Sequence, residues 1–229
     1  MNRQRILLWD LPTRLFHWLL ALAVIAALVS GQIGGNLIDL HGKIGLGIVG
    51  LIAFRLVWGF AGSTYARFAH FFPTPARIKA FLNGEWRELG HNPLGALSVL
   101  ALIFLLTVQA LTGLFANDDI AFVGPLYDLI SKSLSNRLSG IHELLSNVVI
   151  ALVVLHIAAI VFYVRVKKDN LVKPMLTGWK DEAQGESAKG GGAVALIVAL
   201  LIAAVAVYGA SGAWLPEAPP KPAVAAPAW

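Results

Sequence analysis

Long apolar runs alternate with short polar stretches along this chain. Five runs, at about residues 14–31, 41–60, 93–115, 141–164 and 192–214, are apolar over close to twenty residues each. A hydrocarbon core of ~30 Å needs about 20 such residues in a helix, so each run is expected to cross a bilayer. The chain is therefore read as all-α, an integral membrane bundle of four core helices plus a fifth C-terminal transmembrane helix. The fifth run, AVALIVALLIAAVAV, has no histidine and no charge, which suits a peripheral anchor. The opening MNRQRILLWDLPTRLF resembles the basic flank of a leader. The run after it holds His17 and Trp18 and offers no convincing A-x-A cleavage site, so a retained first helix is expected.

The polar stretches behave as loops. GQIGGNLIDL is short and Gly-rich, residues 61–92 carry Arg67, Arg77, Lys79 and Arg87, and residues 116–140 open with NDD after Ala116. A Gly-rich linker is expected over 181–191, and the Pro/Ala-rich tail 215–229 is expected to be disordered. Arg3, Arg5 and Arg14 precede the first run, and Arg165, Lys167, Lys168, Lys173, Lys180 and Lys189 follow the fourth. Loops of the other parity hold only Lys132 and Arg137. By the positive-inside rule the N-terminus is cytoplasmic and the C-terminus periplasmic.

Composition agrees with this pattern. Only 14% of residues are charged, against about 25% in soluble domains, so one membrane domain without a separate soluble one is expected. The Lys and Arg residues behind the net charge of +5 sit mostly in loops flanking apolar runs, where they serve topology and lipid headgroup contact; no nucleic-acid partner is implied. The absence of cysteine excludes disulfides, thiolate-bound zinc, iron–sulfur clusters and covalent C-x-x-C-H heme attachment. A metal centre would rest on His, Met or carboxylates.

Four of the six histidines form a pattern in depth. His142 and His156 are 14 residues apart on the fourth run, about 3.9 turns and ~21 Å of helix rise, so they share a face at two levels. With that run descending from outside to inside, His142 is outer and His156 inner. His17, early in the first run, is inner, and His41, opening the second, is outer. Two level pairs result, His17 with His156 and His41 with His142. Each pair meets the requirement of a six-coordinate iron for a neutral imidazole on either face of a heme, and packing alone is the competing explanation. Zinc, with about four converging ligands, fits two separated pairs poorly.

Arg55 lies 14 residues after His41 in GLIAFRLVWGF, level with the inner pair. An ionisable residue at such depth faces the bundle and finds a partner. A heme propionate is one candidate, and snorkelling to headgroups the other. Gly42, Gly45, Gly47 and Gly50 permit close approach of a helix or of a flat macrocycle, and Gly113 and Gly140 carry the same two readings. Trp9, Trp18, Trp58, Trp86 and Trp214 read as interfacial belt residues. His70 and His91, in the basic inner loop, read as surface or interface residues, with a quinone or proton path as the alternative. Asn117, Asp118 and Asp119 either dock a basic partner or cap the loop.

The segments LWDLPTRLFHW, FRLVWGF, GHNPLGALSVLAL, TGLFANDD and GIHE…LHI occur in an order that resembles the bacterial cytochrome b561 and nickel–iron hydrogenase cytochrome b subunit family, over roughly residues 7–178. The resemblance implies a four-helix membrane cytochrome, here over 1–180, binding two non-covalent b hemes in the bacterial inner membrane. It carries axial ligation onto His17, His41, His142 and His156. It further implies electron transfer between quinone and a periplasmic c-type cytochrome or hydrogenase. The short first loop and the fifth helix with its tail depart from the family and leave the partner open. A stand-alone superoxide:quinone oxidoreductase is the enzymatic alternative, though the outer loops offer little positive charge to steer an anion. A heme-free transporter or structural membrane subunit is the third.

Overall fold

The computed structural model describes residues 4–216 apart from 121 and 183. Arg3 and the tail beyond residue 216 lie outside the described residues. The five apolar runs are helices: α1 (Leu11–Ile33), α2 (Ile38–Ala61), α5 (Pro93–Leu114), α6 (Lys132–Arg165) and α8 (Ala193–Ala210). Short helices α3 (Phe68–Phe71), α4 (Pro75–Leu82) and α7 (Val172–Thr177) sit in the connections. All five long helices are apolar enough to cross a membrane. Their outward side chains include Leu22, Phe104, Leu155 and Leu201, all at least 60% exposed. An apolar belt of this kind belongs against lipid, where a helix keeps its backbone bonds internal. The chain is a multi-pass membrane protein.

The helix ends follow local chemistry. Asp10 caps α1 by accepting from the Thr13 amide at 2.8 Å, with Pro12 in the first turn. Asn92 caps α5 in the same way through the Gly95 amide, ahead of Pro93. Each cap supplies an acceptor that the first turn lacks, and proline there forfeits no bond. Gly34 and Gly35 adopt φ of 62° and 51°, a left-handed conformation that turns the chain from α1 into α2 within a few residues.

Helix α6 begins nine residues before its apolar run. Its 34 residues span about 51 Å at 1.5 Å per residue, more than the bilayer core requires. The extra turns start at Ser131, which caps the Leu134 amide, and are held by Ser135. That fully buried hydroxyl donates to the Phe115 carbonyl and accepts from Asn117.

All the even-parity connections meet at one end of the bundle, called here the basic end. There Gln4–Leu7 (β1) pairs antiparallel with Trp179–Glu182 (β2), Gln4 opposite Glu182 and Leu7 opposite Trp179. This two-stranded ribbon is an addition to the all-α plan. Residues 185–190, in the expected linker, are bonded to the same surface: Gln4 donates to the Gly185 carbonyl, Tyr65 to the Glu186 carbonyl and Thr64 to the Lys189 carbonyl.

The membrane core joins Val24 of α1, Ile48 and Ile52 of α2, Leu105 and Leu106 of α5 and Val149 of α6. A second cluster, Phe16, Phe54, Trp58, Ala66 and Ala199, brings in α8. Helix α8 packs along α2 more extensively than any other two elements pack. Gly50 permits this approach, since a Cβ there would come within 2.7 Å of Val207 Cγ2.

Candidate functional site

The structure brings the four histidines together as two pairs. At the basic end the rings of His17 (α1) and His156 (α6) have centroids 6.5 Å apart. At the opposite end those of His41 (α2) and His142 (α6) are 6.0 Å apart with planes at 89°. A metal–imidazole bond of ~2 Å on each side, plus about 1.1 Å from nitrogen to ring centre, places the centres about 6.2 Å apart. Both pairs therefore leave room for one metal atom between two rings. Among the described residues no three His, Asp or Glu side chains converge as a closed metal cluster would need.

At the opposite end the ring orientation is held by backbone. His41 Nδ1 lies 2.9 Å from the Ala27 carbonyl and His142 Nδ1 lies 2.9 Å from the Gln109 carbonyl. A carbonyl only accepts, so each Nδ1 carries the proton, and Nε2 keeps its lone pair. This is the arrangement by which a protein fixes the tautomer of a ligating histidine. The Thr112 hydroxyl stands 3.3 Å from His142 Nδ1, and the Gln109 side-chain amide donates to the His142 carbonyl at 3.0 Å. Close approach of α5 is what Gly113 permits, since a Cβ there would lie 2.8 Å from His142 Cε1. Gly31 does the same for His41, at 3.0 Å from Nδ1.

The His41–His142 pair faces a cavity of about 390 Å³ whose wall includes Gly45, Gln109, Leu106 and Val149. A Cβ at Gly45 would meet no protein atom within 4 Å, so the glycine leaves a bare strip of α2 along the cavity. An apolar cavity with two opposed imidazoles fits a flat, largely apolar group carrying a central metal.

The basic end is built differently. His17 Nδ1 is buried without a hydrogen-bond partner among the described residues, and so is an Nη of Arg55. Arg55 is 3% exposed. Its guanidinium lies 4.7 Å from the Phe68 ring, 5.9 Å from that of Phe16 and 6.0 Å from that of Phe71. A snorkelling arginine would end in solvent or headgroups; this one ends among aromatic rings.

His91 turns its ring inward rather than lying free on the surface, with Nδ1 buried. Its ring is 4.7 Å from that of Trp9 and 4.6 Å from that of Phe71. Deep burial, then Arg55, then the other histidines push its pKa down to about 3, so it is neutral. The residue as a whole is half-buried. His91 precedes the cap of α5, a position whose side chain folds back over the first turn; that is the signal in the sequence. Gln109, the single amide within an apolar helix, was the signal for the support of His142. Trp9 and Trp58 also differ from the expected belt, being 6% and 1% exposed. Trp58 donates to Asp10 at 3.0 Å and ties the end of α2 to the start of α1.

Comparison with known proteins matches this architecture. The chain is 25% identical to a probable Ni/Fe-hydrogenase B-type cytochrome subunit of Azotobacter vinelandii, over 75% of this chain and 87% of the relative. It is 26% identical to the corresponding Rhodobacter capsulatus protein, over 77% and 82%. A probable Ni/Fe-hydrogenase 1 B-type cytochrome subunit of Escherichia coli K12 is 21% identical over 46% and 57%. No solved structure matches. Residues 8–178 match the family model of prokaryotic cytochrome b561, which covers α1, α2, α5 and α6 with all four paired histidines. The chain belongs to the prokaryotic cytochrome b561 family and is a membrane b-type cytochrome of electron transfer.

Proposed function

We propose that the chain holds two hemes b, one between His17 and His156 and one between His41 and His142. On this reading it conducts electrons across the inner membrane between quinone and a periplasmic redox partner. The observation that carries this is the spacing of the two ring pairs, 6.5 and 6.0 Å. When bound, the hemes supply reversible one-electron chemistry. The chain's own residues supply the rest. Ala27 and Gln109 orient two of the ligands through their carbonyls. The apolar walls exclude water, and helix α6 sets the two levels ~21 Å apart. The burial of Arg55 supports its reading as counter-ion to a heme propionate. The positive-inside pattern supports a cytoplasmic basic end.

Among partners, a hydrogenase is favoured by the relatives, whose names place them as hydrogenase subunits. A c-type cytochrome is the alternative, and quinone is the membrane-soluble reactant. The deciding experiment is a pyridine hemochrome assay on the purified protein with a potentiometric titration. Two hemes per chain titrating as two components is the expected result. One heme, or none, in a preparation made with heme supplementation would overturn the reading.

A further inference from the structure

We propose that Arg55 and His91 together form a two-donor seat for the carboxylates of the heme at the basic end. The inference rests on the reading of His17 and His156 as that heme's ligands. The two residues come from different elements, α2 and the residue before the α5 cap, and share Phe71 as a neighbour: its ring lies 6.0 Å from the guanidinium and 4.6 Å from the imidazole. Each keeps a polar atom buried and unpartnered among the described residues, an Nη of Arg55 and Nδ1 of His91. A buried full charge is costly unless paired. The Asp10 carboxylate acts on Arg55 from a distance but is hydrogen-bonded to Thr13 and Trp58 instead, so an anion at the unpartnered Nη would complete the pairing where a neutral quinone would not. His91 is within electrostatic reach of Arg55 and of both ligands of the pair, His156 and His17. An anion tethered to a group lying between His17 and His156 meets all of these conditions. His91 serves as a neutral N–H donor beside the charged one, and the Trp9 ring at 4.7 Å closes its other side.

The test uses the full chain with its hemes, comparing wild type, His91→Leu and His91→Gln. Hemes per chain, the resonance Raman propionate bending band and the midpoint potential are read for each component. Loss of a donor leaves the carboxylate less compensated and favours the oxidised iron. His91→Leu should therefore shift the propionate band of the basic-end component and lower its potential, leaving the other component unmoved. His91→Gln, which keeps an N–H, should return both toward wild type. A basic-end component unmoved in His91→Leu, with or without a change in quinol oxidation, overturns the seat while leaving the two-heme reading intact. Loss of that heme in both variants alike assigns His91 to packing and overturns it too. A wild type lacking the basic-end component removes the heme reading and the seat with it.

Discussion

His142 meets His41 across the bundle with their ring planes at 89° and centroids 6.0 Å apart, although a hundred residues separate them in the chain. Neither ring is free to turn, because each Nδ1–H is committed to a carbonyl of a neighbouring helix. The site at this end is thus shaped before any cofactor enters, which lowers the ordering cost of binding.

The pairing can be checked by substitution. His17→Ala and His156→Ala should abolish the low-spin signal of one and the same potentiometric component, and His41→Ala and His142→Ala that of the other. Some cross-talk is expected, because an emptied pocket leaves an apolar void that loosens packing. The component lost first is therefore the diagnostic. Loss of one component by His17 and His142 variants together would refute the two-level geometry.

Gly113 offers a test of how close α5 must come. An added Cβ would sit 2.8 Å from His142 Cε1, so Gly113→Ala must displace the ring or the helix. Overpacking of this kind costs about 1–3 kcal/mol, and the opposite-end component should lose intensity or shift while the basic-end one persists. Gly209→Ala, on α8 with nothing within 4 Å of the new Cβ, serves as the control. A silent Gly113→Ala spectrum would show that the ring has room to spare.

Arg55→Leu should lower the midpoint potential of the basic-end component. With a heme between His17 and His156 as proposed, the guanidinium would disfavour the more positive oxidised iron, and its removal would relieve that penalty. A change of about 1.4 kcal/mol corresponds to about 59 mV for one electron, and a shift on that order or below is expected, since a propionate paired with the guanidinium would screen part of the charge. A shift confined to the other component would separate Arg55 from the His17–His156 level.

Helix α8 depends on Gly50. A leucine there would drive α8 away from α2, because even a Cβ would lie 2.7 Å from Val207 Cγ2. Gly50→Leu should lower the thermal unfolding midpoint in detergent, with an overpacking cost of about 1–3 kcal/mol. Heme content at the basic end should be retained. Unchanged stability would show that the α2–α8 contact contributes little.

Orientation is open to reporter fusions. A fusion after residue 211, at the end of α8, should be active in the periplasm, and one in residues 165–170 in the cytoplasm. The reverse pattern would contradict the positive-inside reading.

Much of this protein is set by local sequence. The five spans follow from the length of apolar runs, and the two histidine levels on α6 from 14 residues at 1.5 Å each. Arg55 shares a face with His41 by the same arithmetic. These features are legible because helix period and hydropathy need only neighbours in the chain. What sequence alone left open depends on segments far apart. Four residues at Gln4–Leu7 form a strand because Trp179–Glu182 arrives at the same end of the bundle, and neither stretch carries a strand pattern by itself. His91 turns inward because Trp9 and Phe71 close on its ring from other elements. The uncharged fifth helix could have lain anywhere in the bilayer; the bare backbone at Gly50 gives it a place on α2. A lipid-facing apolar surface and a helix-facing one have the same composition, so only packing distinguishes them.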